Sequence, residues 1–278
     1  IVNLIAKNNI KTIATFHNVY GGNSYLKKMY NKGLSKMDHL VAISDYVKQT
    51  IVKKYDLQPN NISVINRGID TEYFNQTLNA GIRDNIIKTH QIDTAKKIIL
   101  FPARITSWKG QLEFIDVIKK MDTQNILLLF VGDIKNESYT KLVRDKIEQN
   151  NLEDVCKILG SVNQDEMRSL YQVADLSVSF PLQAEGFGRT ISEALYSKTP
   201  VLAFDYGGVK NQLVNLSDMF KVKPQDYQAL PAKIEKLLSL SEVQKKEAID
   251  GVQSFIENNF SKINMVNQYL KLYESLKS

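Results

Sequence analysis

Residues 183–208 read QAEGFGRTISEALYSKTPVLAFDYGG. Two apolar runs bracket the helical part of this stretch, LSVSFP at 176–181 and PVLAF at 200–204. Between them, the pattern over 189–197 predicts an amphipathic helix, so the unit reads strand, loop, helix, strand. Glu185 then lies in a loop at a strand's carboxyl end, where open α/β sheets bind ligands. Gly186 and Gly188 leave the backbone open to close approach. The helix starting near Arg189 turns its free N–H groups toward that loop, which suits phosphate or another anion. Glu193 follows Glu185 by eight positions, on the first turns of the helix. A blander reading exists: Thr190-x-x-Glu193 fits a capping box, and Gly-Phe-Gly fits an ordinary tight connection. Two glutamates around a Gly-x-Gly turn, with Gly207-Gly208 after the next strand, favour a ligand site. There a carboxylate accepts hydrogen bonds from sugar or ribose hydroxyls, while helix-end amides hold a diphosphate.

Working outward, the same alternation fills the chain. Apolar bursts at 12–16, 40–43, 62–65, 98–101, 126–131 and 157–159 predict strands. Helical patterns lie near 109–121, 137–150 and 164–173, and a stripe of Tyr46, Val47, Ile51, Val52 and Tyr55 follows Ser44 as a candidate N-cap. Continuously apolar strands alternating with helices predict an α/β protein with parallel sheets covered on both faces. The stretch 68–92 has no strong burst and reads as a linker followed by a short helix, so two units meet near residue 78. The first unit offers only three strands and reads as incomplete. The tail predicts an amphipathic helix at 261–278 with Ile263, Val266, Tyr269, Leu270 and Tyr273 in one stripe.

A second candidate site is RITSWKG at 104–110, after the IILFPA strand and before a helix. Arg104 and Lys109 would supply two cations at a strand's carboxyl end, which suits a multi-oxygen anion such as a diphosphate. A solvated basic loop is the alternative. The 278 residues include one cysteine, Cys156, which excludes a disulfide scaffold and points to a reducing, cytoplasmic setting. Cys156 itself reads as core. The net charge of +6 is no nucleic-acid footprint, and no apolar run is long enough for a spanning helix. No His/Cys/Asp cluster has metal-ligand spacing.

The order FPARITSWKG, LLLFVGD, ILGSV, AEGFGRTISEALYSKTPVLAFDYGG resembles the C-terminal half of family-4 glycosyltransferases of the GT-B fold. Their E-x7-E hallmark is matched by Glu185 and Glu193. FHNVYGG, VAISDYVK and VINRGIDTEYF resemble the latter part of that family's N-terminal domain. The resemblance implies two Rossmann-like doubly wound domains facing a cleft. The expected division is 1–78 for an acceptor-side domain lacking its first part, 79–260 for the nucleotide-sugar domain, and 261–278 for a helix crossing back to the first. It implies a nucleoside diphosphate sugar as donor substrate, with no cofactor and no metal, and a retaining reaction. Glu185 resembles the donor-sugar glutamate, and Glu193 the one that bonds ribose. Arg104 and Lys109 match the diphosphate pair, and backbone at Phe187, Gly188, Arg189 and Thr190 would contact sugar and phosphate. Val162 resembles a position touching the base, and His17 a histidine facing the donor sugar from the opposite domain.

Other residues take plainer readings. His39 and His90 match nothing in the family, Trp108 either shields the phosphate site or packs, and Asp133 ends a strand. The stretch 25–36, YLKKMYNKGLSK, carries Lys27, Lys28, Lys32 and Lys36 with no acid. It suits peripheral contact with an anionic leaflet near a glycan or lipid-linked envelope acceptor, or else an ordinary surface helix. Two other classes stay open at this point. One is a donor-binding module without activity; the other is an epimerase or phosphorylase on the same fold.

Overall fold

The structure, a computed structural model, describes residues 11–18, 29, 32–76 and 80–276. The first unit runs β1 (Ile13–Phe16), β2 (His39–Ala42), α1 (Asp45–Tyr55), β3 (Ile62–Val64), α2 (Thr71–Asn75) and α3 (Ala80–Thr89). There follow β4 (Lys97–Pro102), α4 (Gln111–Ile118), β5 (Ile126–Val131), α5 (Glu137–Gln149), β6 (Cys156–Gly160) and α6 (Gln164–Val173). Next come β7 (Leu176–Ser179), α7 (Arg189–Tyr196), β8 (Val201–Phe204), α8 (Lys210–Leu213) and β9 (Lys221–Val222). The chain closes with α9 (Leu230–Leu238), α10 (Glu242–Ala248), α11 (Val252–Phe260) and α12 (Lys262–Ser275).

The strands form two all-parallel sheets, β1-β2-β3 and β6-β5-β4-β7-β8-β9. All six residues of β5 are buried, as expected of a central strand with helices on both faces. Behind the carboxyl ends of β4, β7 and β8 runs an aromatic ladder. Phe101 meets Phe114 at 5.5 Å between centroids, Phe114 meets Phe180 at 5.1 Å, and Phe180 meets Phe204 at 5.1 Å. Such edge-to-face and tilted pairs add to the area they bury and give the loops after these strands a stiff floor. Ser44 caps α1 as the sequence predicts, its hydroxyl accepting from the Val47 amide at 3.2 Å. Cys156 is buried at the start of β6, where desolvation pushes its thiol up to about 12.

Four readings need correction, one of them the blander alternative of a capping box at Thr190. The helix expected over 109–121 is α4, Gln111–Ile118, so Lys109 stands in the loop before it. Thr190 does not open a capping box: Gly188 is the N-cap of α7, in the left-handed region. The stretch 68–92 is more ordered than a linker. Ile69 bridges Ser261, its amide donating to Phe260 O at 2.8 Å and its carbonyl accepting from Lys262 N at 2.7 Å. Thr71–Asn75 then forms a helix capped by Asp70.

The fourth correction concerns α12. Of its expected stripe, Ile263, Val266, Leu270 and Tyr273 are 44–52% exposed. Of that stripe Tyr269 alone is on the packed face, which is otherwise made by residues the stripe leaves out. Leu272 sits with Val41 and Ile65, and Met265, Tyr269 and Leu276 pack around them. The Tyr269 hydroxyl lies 2.9 Å from Thr15 Oγ1, so α12 lies against the first sheet. Of the basic stretch 25–36, residues 25–28, 30 and 31 fall outside the described residues. Among the described residues, no helix is long and apolar enough to cross a membrane.

Candidate functional site

In the larger sheet the chain moves outward from β4 through β5 to β6, then returns to the other side of β4 with β7. The order reverses between β4 and β7. The loops leaving these neighbours diverge there, opening a crevice at their carboxyl ends. The loop after β4 carries Arg104, Trp108 and Lys109; the loop after β7 carries Glu185, Gly186 and Phe187. They are stitched together by the Leu182 amide donating to Trp108 O at 2.8 Å.

Lys109 and Glu185, assigned separately from sequence, meet in the crevice. The Lys109 ammonium donates to Glu185 Oε1, and the two side chains are 15% and 11% exposed. The same ammonium lies 4.4 Å from the Trp108 ring centroid. A carboxylate and an aromatic face therefore hold this cation at a largely dry position, where its field on an incoming anion is weakly screened. Arg104 shares the loop but is exposed and makes no ion pair among the described residues, leaving it able to reach a second anionic group.

The turn leading into α7 is shaped by contacts only glycine allows. A Cβ on Gly208 would stand 2.0 Å from the Gly186 carbonyl oxygen, and Gly188 sits at φ +85°. The buried Gln212 clamps this turn, donating from Nε2 to Phe187 O and accepting from the Ser192 hydroxyl at 2.5 Å. Phe187 is itself buried, its ring 5.5 Å from that of Phe260. What it offers a ligand is backbone. At the start of α7, the amides of Arg189 and Thr190 have no intrahelical acceptor, whereas that of Ile191 closes on Gly188 O at 3.0 Å.

Glu193 lies one turn into α7, its side chain 13% exposed. Arg189 Nε stands 2.9 Å from its Oε1, and the Tyr171 hydroxyl donates to its Oε2 at 3.0 Å. Burial nevertheless holds its carboxyl above the usual carboxylate range, with Arg189, Tyr171 and Arg67 pulling the other way. The Tyr171 phenol, wholly buried, is pushed well above its ordinary value by desolvation and by Glu193, so it stays a donor.

The first sheet faces this region with the carboxyl ends of its own strands. His17 follows β1, and its carbonyl oxygen is 2.5 Å from where a Gly186 Cβ would stand. A cavity of about 370 Å³ lies between the two sheets, lined by His17, Arg67, Tyr73, Arg189, Glu193 and Lys262 among others. Burial and then Arg67 lower the His17 pKa, so its ring is neutral near pH 7. Val162 is half-buried in the loop after β6, packed against the core and not among the residues lining the cavity, whereas Gln164 beyond it does line it. Thus Lys109 and Glu185 converge at one point, and His17, Arg189 and Glu193 at an adjacent one. Arg67, Tyr171 and Gln212 escaped the sequence reading. Arg67 alone left a signal, as the charged residue of the VINRG turn closing a predicted strand; Tyr171 and Gln212 look like ordinary helix residues.

A family model described as Glycosyl transferases group 1 matches residues 82–251, and one described as Glycosyltransferase Family 4 matches residues 1–73. The chain is 26% identical over 199 residues to the trehalose synthase of Pyrococcus horikoshii, covering 69% of this chain and 47% of that protein. It spans about half the length of the curated relatives it matches. Among solved structures, a glycosyltransferase from Rickettsia africae superposes with a TM-score of 0.87 at 30% identity, over 98% of this chain and 72% of that one. Anabaena HepE, solved in complex with UDP and glucose, gives a TM-score of 0.84 over 98% of this chain and 73% of that one. At 20% identity, that likeness is one of fold.

Proposed function

We propose, from the premise that this chain belongs to the glycosyl transferases group 1 family, that it transfers a sugar from a nucleoside diphosphate sugar to a glycan or lipid-linked acceptor. Transfer retains the configuration at the anomeric carbon and needs no metal ion. The observation that carries this reading is the convergence of Lys109, Glu185 and the start of α7 at the β4/β7 reversal. As the bond from the anomeric carbon to the diphosphate breaks, negative charge grows on the leaving oxygen. Lys109, Arg104 and the first amides of α7 stabilise that charge without any group having to move in from solvent. Glu185 orients the donor sugar, and Glu193 accepts from the ribose hydroxyls once they displace Arg189. The acceptor hydroxyl attacks on the departing side, and its proton passes to the diphosphate oxygen. His17, neutral and facing this point from the first sheet, accepts from a hydroxyl of the donor sugar through one ring nitrogen, which leaves its single N–H unused by the donor. A UDP-type donor is supported by the UDP and glucose complex of HepE, which has the same fold.

Calorimetry with UDP, GDP and ADP in excess chelator tests the donor and metal parts together. One nucleotide is expected to bind with unchanged affinity when chelator is added. No binding by any of the three sinks the donor reading; binding that appears only with Mn²⁺ sinks metal independence alone.

The proposal includes peripheral contact with an anionic, cytoplasmic membrane face through Lys27, Lys28, Lys32 and Lys36, each contributing about 1 kcal/mol near the surface. Co-sedimentation with anionic vesicles is expected at low salt and lost at high salt. Equal, negligible recovery with anionic and neutral vesicles at low salt would remove the membrane from the reading.

A further inference from the structure

The cavity between the sheets holds more positive charge than its own carboxylates neutralise. Arg189 pairs with Glu193 at 2.9 Å, and Lys262 pairs with Asp70 at 3.1 Å. Its two phenols are also engaged: Tyr73 donates to Asp165 at 2.5 Å, and Tyr269 meets Thr15 at 2.9 Å. Arg67 is left over. It follows β3, is exposed, and makes no ion pair among the described residues. It lines the cavity together with His17 and Glu193, the residues assigned above to the donor sugar and the ribose, and its charge is felt by both. This locus is separate from Arg104 and Lys109, which belong to the crevice on the larger sheet and do not line the cavity.

A guanidinium with five fixed donors, beside a neutral imidazole that can donate one more hydrogen bond, matches a group with several oxygens around one centre. A planar carboxylate would be satisfied by the guanidinium alone. We propose that Arg67 and His17 form a phosphate subsite, so that the acceptor carries a phosphate ester close to the hydroxyl that is glycosylated. This deepens the donor reading above and rests on it for the word acceptor; the anion site itself does not. A lipid phosphate headgroup and a soluble sugar phosphate present the same chemistry.

The test uses the full chain saturated with UDP, titrated with sn-glycerol 1-phosphate, with glycerol, and with glycerate as its carboxylate counterpart. Glycerol phosphate is expected to bind alongside UDP, glycerol not at all and glycerate more weakly. Arg67→Met is expected to weaken glycerol phosphate by about tenfold or more, the loss of one hydrogen bond between charged groups. Arg67→Lys should recover part of it, and UDP affinity should change far less than glycerol phosphate affinity in either variant, since Arg67 reaches the ribose carboxylate Glu193 only through its charge. Undiminished glycerol phosphate binding by Arg67→Met overturns the subsite. So does competition between glycerol phosphate and UDP, or a matching loss of UDP affinity, since either makes Arg67 a donor residue. If the wild-type chain binds no nucleotide, the donor reading fails by itself, and the same titration without UDP still decides the anion site. Phosphatidylglycerol vesicles, run with both proteins, separate the sources. Arg67-dependent capture identifies a lipid headgroup; Arg67-dependent glycerol phosphate binding with unchanged capture identifies a soluble phosphorylated acceptor.

Discussion

Lys109→Met is expected to lower kcat by about 10²–10³-fold, the range seen when one preorganised donor to a developing anion is removed. The variant also harms the fold for a separate reason. Lys109 is the counter-ion of Glu185, and both are largely buried. Removing one partner strands a carboxylate in a poorly solvated crevice, which costs about 3–5 kcal/mol unless the carboxyl takes up a proton. Thermal melting measured beside turnover separates the two effects. The double variant Lys109→Met/Glu185→Gln should recover most of the lost melting temperature, because no charge is left uncompensated. Turnover should stay low, because nothing in that variant restores a cation to the leaving group. If the double variant regains activity together with stability, Lys109 is a structural partner of Glu185, and the leaving-group role goes to Arg104.

Glu193→Gln is expected to separate function from stability in the opposite sense. A ribose hydroxyl bonded to a carboxylate is worth about 1.5–3 kcal/mol, so nucleotide affinity should fall roughly 10- to 150-fold. The fold should not suffer. Burial raises the Glu193 pKa in the folded protein above its unfolded value. The folded state therefore holds the proton more tightly, and ionisation costs stability as pH rises through the folded pKa. At pH 7–8 the glutamine variant, which cannot ionise, should melt at the same temperature as wild type or higher. Well below the unfolded pKa, where both states are protonated, that advantage should vanish. Nucleotide affinity of the wild type should fall as pH drops through the raised pKa, because a protonated Glu193 accepts poorly; the variant should lack that dependence. Calorimetry and melting across pH check both statements. Unchanged affinity with a loss of stability would return Glu193 to a purely structural role, anchored by Tyr171 and Arg189.

The errors in the sequence reading have physical causes. In α12, Met265, Tyr269, Leu272 and Leu276 recur at helical spacing, and so do Ile263, Val266, Leu270 and Tyr273. Periodicity finds both stripes and cannot rank them. The choice went to the face whose Tyr269 reaches Thr15 and whose Leu272 fits between Val41 and Ile65. Thr190-x-x-Glu193 has the spacing of a capping box. Gly188, however, takes the N-cap in a left-handed conformation, and Glu193 turns instead to Arg189 and Tyr171. The strand β9 is two residues long and pairs only because β8 presents an open edge, so no local pattern marks it.

Local pattern alone determined that this is an α/β protein, that Glu185, Arg104 and Lys109 stand at the carboxyl ends of strands, and that a helix begins at Arg189. Each of these follows from the alternation of buried strand and amphipathic helix, whose side chains are within a few residues of one another. Pattern alone could not determine that the loop carrying Lys109 and the loop carrying Glu185 are neighbours. That depends on β7 pairing with β4 across two intervening strands, which is a property of how six strands order themselves in one sheet. The same holds for Arg67, Tyr171 and Gln212. Each is unremarkable among its sequence neighbours, and each acquires its role only where packing brings a second element against it.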